Sequence, residues 1–196
     1  MPELDFYYDI ASPYSYLSAA RINALAANAG VQVNWKPFLL GGVFKTVGNT
    51  MPASVPARAV YLHQDLQRWA ERDGIEFRFS STFPHNSLLA MRALTAAPAD
   101  ALVSLSLSLF RATWVDNQDL SDPMVVTAAL GDHSALVEAA SDPVIKKQLI
   151  DTTTQAIEAG AFGAPAFVTG GELFWGNDRL EMAIAAAVAQ SSNDGS

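Results

Sequence analysis

The stretch Asp5-Phe6-Tyr7-Tyr8-Asp9-Ile10-Ala11-Ser12-Pro13-Tyr14-Ser15-Tyr16 changes character halfway along. Phe6, Tyr8 and Ile10 alternate with polar residues, and aromatic and β-branched side chains suit a pleated surface, so the first half reads as a strand. Ser12 then stands where an N-cap belongs. Pro13 takes the first helical position, where its fixed φ and missing N–H carry no penalty. Strand, sharp turn and helix start are thus expected within a dozen residues. The junction carries Ser12 and Ser15 in an S-x-x-S spacing and sets the Ser12 hydroxyl among helix N-terminal amides that favour an anion.

Working outward, Ser18, Ile22, Leu25, Ala26 and Ala29 share one helical face, and Gly30 is placed to end the helix in a left-handed conformation. Val31 to Trp35 alternates again. Residues 1–40 therefore read as strand–helix–strand, which implies a parallel pair with a right-handed crossover. Gly41-Gly42, Gly48-Asn49 and Pro52 to Pro56 then mark a long irregular stretch, the kind that often carries function. Helices are expected from about Pro56 to Asp73, with Leu62, Leu66 and Trp69 on one side, and near 86–96, 123–130, 134–140 and 143–159. Asp122-Pro123 and Asp142-Pro143 each place an N-cap before a first-position proline. Leu102 to Leu109 alternates Leu with Ser, a strand signal, yet Leu102, Leu105 and Leu109 also fit helical spacing. Its helical neighbours and the apolar run on to Trp114 favour helix.

Near the end, Pro165 to Thr169 and Glu172 to Trp175 flank Gly170-Gly171, a two-residue hairpin signal. A last helix follows Gly176-Asn177-Asp178, with Leu180, Ile184, Ala187 and Val188 buried, and 191–196 is expected to form a flexible tail. The order is one mixed sheet with helices on both faces: an α/β, thioredoxin-like arrangement of the DsbA/kappa type. Residues 1–40 and 155–190 would form its two halves, and 41–154 an inserted, mainly helical subdomain. Thioredoxin-like redox proteins carry the first cysteine of their C-x-x-C where this chain has Ser12. Pro165 stands where that fold has a cis proline facing the active-site turn, and cis costs an X–Pro bond only about 0.5–1 kcal/mol.

Composition narrows the chemistry. The 196 residues are 50% hydrophobic and 16% charged, enough for one substantial core. A net charge of −8 lacks the basic footprint of a nucleic-acid binder. Cysteine is absent, which removes disulfides, thiolate metal sites and any mechanism using the protein's own thiol. Sulfur chemistry here must use a sulfur brought by a cofactor. His63, His85 and His133 lack metal-ligand spacing, so no metal site is expected. There is no G-x-S-x-G elbow, P-loop or G-x-G-x-x-G. The N-terminus shows no secretory pattern, and the longest apolar runs fall short of a membrane span, so a cytoplasmic location without membrane contact is expected.

Asp9-x-x-Ser12-Pro13-Tyr14-Ser15-Tyr16, Gly48-Asn49, Phe162-Gly163-Ala164-Pro165 and Trp175-Gly176-Asn177-Asp178-Arg179-Leu180 together resemble the 2-hydroxychromene-2-carboxylate isomerases. They also resemble the kappa-class glutathione transferases, relatives with the same DsbA-like fold. The likeness runs over essentially the whole chain in order and spacing. It implies glutathione as cofactor, bound across the thioredoxin half. Ser12 matches the catalytic serine that stabilises the glutathione thiolate. Ala164, before Pro165, matches the residue whose backbone pairs with the cysteinyl part, and Asn177, Asp178 and Arg179 match positions that hold the γ-glutamyl end. Asn49 matches a further glutathione contact. Lys45 falls where the isomerases place a basic residue near the substrate carboxylate. Tyr14, Arg58 and Asn86 are further substrate candidates, with Phe38, Phe44 and Trp114 as possible aromatic walls.

The resemblance thus implies a homodimeric, glutathione-dependent isomerase of aromatic-compound catabolism. Its substrate would be a small aromatic carboxylate, with 2-hydroxychromene-2-carboxylate converted to trans-o-hydroxybenzylidenepyruvate through a transient thiolate adduct. Read alone, Ser12 is equally a helix cap, Asn177-Asp178-Arg179 a capped helix start and Lys45 a solvated cation. Two alternatives stay open: a kappa-like transferase or peroxidase, and a non-catalytic thioredoxin-like binding module. Tyr16 stands where the isomerases carry Tyr and the kappa enzymes tend to carry Trp, which favours the isomerase.

Overall fold

In the computed structural model, which describes residues 1–193, β1 (Glu3–Tyr8) is central in a four-stranded sheet of order β2–β1–β3–β4. β2 (Gln32–Pro37) runs parallel to β1, whereas β3 (Ala166–Thr169) and β4 (Glu172–Trp175) follow antiparallel. The register sets Phe6 beside Trp35 and Phe167. Their rings pack at 5.0 and 5.4 Å, so the alternation seen in the sequence becomes one aromatic face. That face, with Leu4 and Tyr8, joins a large core with α1 (Pro13–Ala29), α3 (Pro56–Asp73), α4 (Leu88–Thr95), α5 (Leu102–Trp114), α6 (Pro123–Leu130) and α9 (Leu180–Asn193). Tyr7 and Ala166 point the other way, into a smaller core with Val43 of α2 (Leu40–Val47) and Ala156 of α8 (Pro143–Glu158). A short helix, α7 (Leu136–Ala139), completes the inserted block.

Local chemistry explains most boundaries. Ser12, Asp122 and Asp142 cap their helices, each accepting a first-turn N–H, with proline in the first turn. Gly30 and Gly74 end α1 and α3 in left-handed conformations. Gly170 and Gly171, both at positive φ, make the two-residue turn of the β3–β4 hairpin. The Leu/Ser segment is the helix α5. Its Ser106 hydroxyl donates to the Leu102 carbonyl at 2.7 Å and receives the buried Tyr8 hydroxyl at 2.6 Å, so this serine is satisfied inside the bundle.

Three expectations are corrected. The stretch after residue 40 is not irregular throughout, because Leu40–Val47 forms α2 despite Gly41-Gly42. Val43 is fully buried against Tyr7 and Phe38, and a Cβ on Gly42 would stand 3.5 Å from Thr153 of α8. Tertiary packing outweighs the poor helix propensity of glycine here. Val188 is 36% exposed, since the buried stripe of α9 centres on Ala183 and Ala187. Residues 191–193 continue α9 rather than opening a flexible tail, and the rest of that expected tail lies outside the described residues. Among the described residues no helix is long and apolar enough to cross a membrane.

Trp114 is the largest fully buried side chain, and its indole N–H donates to the Ile10 carbonyl at 2.8 Å. It thereby ties α5 to the turn after β1. Trp114→Ala is expected to lower the unfolding free energy by about 3–5 kcal/mol in chemical denaturation. Met124→Ala, at a side chain 73% exposed, should leave it nearly unchanged.

Candidate active site

The turn after β1, the start of α1, one face of α2 and the first turns of α3 enclose a cavity of about 1190 Å³. The loop 83–88 and the turn 162–164 complete its wall.

Ser12 sits at its floor. The residue is 4% exposed, and its hydroxyl donates to the Ala164 carbonyl at 3.2 Å while accepting the Ser15 N–H at 3.2 Å. The Ala164–Pro165 bond is cis, and the hydrogen bond from Ser12 sets Ala164 opposite the α1 N-terminus. The Tyr14 amide, in the first turn of α1, is one of the N–H groups a helix leaves without an internal acceptor. Gly163 has no alternative: an added Cβ would lie 2.5 Å from the Trp175 indole nitrogen. Trp175 in turn packs on Phe162 at 4.6 Å, forming an apolar lip beside Ser12.

Asp9 is a buried carboxylate that lines the cavity and ties its walls together. It accepts the Ala11 and Leu40 N–H groups, each at 2.9 Å, and the Ser87 hydroxyl. Burial raises its pKa above the usual carboxylate range, and those three donors pull it back. Tyr14 forms another wall, its hydroxyl donating to Asp65 at 2.6 Å. Burial first, then Asp65, drives the Tyr14 phenol far above its ordinary pKa, so it stays neutral.

The structure brings Ser12, Asn49, Ala164, Tyr14, Arg58 and Asn86 together around this one cavity. The Asn49 amide donates to the Phe162 carbonyl at 2.9 Å, and Asn86 accepts the Leu88 N–H at 3.2 Å. Pro165 lies behind the turn, its carbonyl accepting the Gly176 N–H. Lys45 does not join them. It is exposed on the last turn of α2, outside the cavity wall, because α2 is a helix that turns this side chain to solvent. Arg58 is the only lysine or arginine among the described residues to line the cavity. Phe44 lines it too, whereas Phe38 and Trp114 are fully buried in the cores.

Asn177 also departs from expectation. It is 2% exposed, its side-chain oxygen accepts from Ser18 at 3.0 Å and Arg21 at 3.1 Å, and its carbonyl accepts from Arg21 at 2.9 Å, so both oxygens are engaged inside the fold. Asp178 and Arg179 pair at 2.6 Å on the surface, outside the cavity wall, with Asp178 close enough to act on the Tyr14 phenol.

Sequence reasoning missed three groups. Asp9 was legible only as part of D-x-x-S. Asp65 carries no local signal, since its partner is 51 residues away. His85 lies on the cavity loop with its ring edge-on to Trp114 at 5.3 Å, and neither ring nitrogen has a hydrogen-bond partner. Burial lowers its pKa, with Asp119 opposing, so the ring is neutral near pH 7.

Fold and site define a DsbA-like thioredoxin-fold protein with serine at the helix start, and the DSBA-like thioredoxin domain model matches residues 3–187. A 2-hydroxychromene-2-carboxylate isomerase of Pseudomonas putida is 33% identical over 185 residues, covering 91% of each chain. The human glutathione S-transferase kappa 1 is 30% identical, covering 91% of this chain and 88% of its own. A solved structure of a 2-hydroxychromene-2-carboxylate isomerase superposes with a TM-score of 0.84 at 30% identity over 99% of both chains. The chain belongs to the 2-hydroxychromene-2-carboxylate isomerase family, a branch of the DsbA-like fold related to the kappa-class glutathione transferases.

The imidazole of His85 gives a pH test. Its folded pKa is depressed, so the stability it contributes is present above the ordinary value of 6.5 and lost as pH falls through that value. Unfolding free energies measured on either side of 6.5 should show this loss in the wild type and a smaller one in His85→Phe.

Proposed function

We propose that this chain is a glutathione-dependent isomerase acting on small aromatic carboxylates of the 2-hydroxychromene-2-carboxylate type. The observation that carries the reading is the Ser12 hydroxyl at the α1 N-terminus, 3.2 Å from the Ala164 carbonyl, on the floor of a largely apolar cavity with no protein thiol. Its likeness to two groups of relatives, isomerases and glutathione transferases, supports it.

The residues fit the cofactor. Ala164, whose carbonyl meets the Ser12 hydroxyl on the cavity wall, would offer its backbone to the cysteinyl part. Asn49 stands next to it, and the 177–179 turn with Asp178 would meet the γ-glutamyl end. When bound, glutathione supplies a thiolate nucleophile that is used and released within one turnover.

Ser12 has one hydroxyl hydrogen, which goes to the neutral Ala164 carbonyl in its present geometry. A thiolate is a charged acceptor and binds such a donor about twice as strongly as a neutral one, so the hydroxyl turns to the sulfur. With the α1 terminus adding to it, the thiol pKa should fall by one or more units from about 8.5. Arg58 would hold the substrate carboxylate as a charge-assisted partner. Tyr14 and His85, both neutral, leave no second charge to draw that carboxylate away. Phe44, Tyr61 and Phe83 supply flat apolar walls for an aromatic ring.

Kappa-like conjugation is the second reading, favoured by the human kappa relative. Parallel assays of the isomerisation and of a generic electrophile separate the two. Ser12→Ala should keep glutathione binding yet raise the apparent thiol pKa of bound glutathione by about one unit, followed by ultraviolet thiolate absorbance. An unchanged pKa would remove Ser12 from its role. Arg58→Met should raise KM for the aromatic carboxylate about tenfold while glutathione affinity holds.

A further inference from the structure

Arg21 lies on α1, nine residues beyond Ser12, and the reading above gives it no task. Its side chain is 13% exposed. One guanidinium nitrogen donates to both the Asn177 carbonyl at 2.9 Å and the Asn177 side-chain oxygen at 3.1 Å. The other lies 3.1 Å from Asp73 of α3 and 3.5 Å from Glu181 of α9, and the group stands over the Trp69 ring at 5.5 Å. Ser18, one turn earlier on α1, donates to the same Asn177 oxygen at 3.0 Å.

Packing does not call for this cation. Ile22, Leu66, Leu180 and Ala183 already join α1, α3 and α9 through buried apolar contacts. A desolvated ion pair in such a place is weak evidence for stability, since the desolvation cost offsets much of the attraction. What the guanidinium does uniquely is hold one turn, residues 177–179, by two bonds to a single residue. Its second nitrogen meets Asp73 at the same time, and a lysine ammonium, a single point of donors, does not span both partners as the planar fork does. The helix that carries Arg21 is also the helix whose N-cap is Ser12. One rigid element therefore fixes both the point where a sulfur would rest and the turn that would receive the far end of the tripeptide.

We propose that Arg21 is a positioning residue which, through Asn177, sets the 177–179 turn to accept the γ-glutamyl part of glutathione and so makes the site selective for the tripeptide over smaller thiols. The inference rests on the glutathione reading above. It assigns to Asn177 an indirect role: its side chain is the handle by which α1 grips the turn.

The test compares glutathione with cysteinylglycine, which lacks only the γ-glutamyl group, by titration calorimetry on the wild type, Arg21→Met and Arg21→Lys. The wild type should prefer glutathione by tenfold or more. Arg21→Met should weaken glutathione by about tenfold and leave cysteinylglycine within about a factor of two, with Arg21→Lys in between. A role in stability alone would lower the melting temperature without moving the ratio of the two affinities. If Arg21→Met does not fold by circular dichroism, the ratio in Arg21→Lys decides. A wild-type preference retained in the folded variants, or equal weakening of both thiols, overturns the role of Arg21 alone. A wild type that binds both thiols equally overturns the γ-glutamyl assignment of the turn as well, and one that binds neither overturns the glutathione reading itself.

Discussion

The hydrogen bond from Ser12 to Ala164 joins residues 152 positions apart, and the site depends on their meeting. Neither end of the chain can form it alone. β1 must pair with β3 antiparallel, so that the strand leading into Ser12 lies beside the strand that begins after Pro165. Phe6, stacked on Phe167 and edge-on to Trp35, holds that pairing from one face, and Tyr7 and Ala166, in the smaller core with Phe38, hold it from the other. The N-cap at Ser12 and the turn at Ala164 then bring a hydroxyl and a carbonyl together.

The same geometry governs the electrostatics. The chain is acidic overall, yet its cavity holds little free negative charge. Asp9 is matched by two backbone amides and a serine hydroxyl, and through them it clamps the β1–α1 turn to α2 and to the start of α4. Tyr14 is locked neutral by burial and Asp65. A helix N-terminus facing such a cavity can attract an anion without competition from a neighbouring unpaired carboxylate. Among the described residues Arg58 is the one lysine or arginine on the cavity wall.

Much of this was legible in the residues. The period-two run through Phe6 and Tyr8, the Ser-Pro and Asp-Pro helix starts and the Gly-Gly hairpin are local signals, and they resolved into the elements they announced. The family motifs likewise brought Ser12, Asn49 and Ala164 to one cavity. What escaped depends on contacts between distant segments. Gly41-Gly42 reads as a break, but the burial of Val43 against Tyr7 and Phe38 holds the segment as a helix in spite of both glycines. Lys45 then turns outward with that helix, a consequence no loop reading contains. Asn177 looks like an open cap until Ser18 and Arg21 are found on its side chain. Asp65 and His85 become site residues only when α3 and the 83–88 loop close over the sheet.

The central claim is that Ser12 and Ala164 form a cradle for a sulfur the protein does not own. A crystal structure of the wild type soaked in glutathione tests it most directly. The account predicts the glutathione sulfur within hydrogen-bonding distance of the Ser12 hydroxyl, with the cysteinyl backbone paired to Ala164. Glutathione bound with its sulfur away from Ser12, or no glutathione in the cavity at saturating concentration, would contradict it.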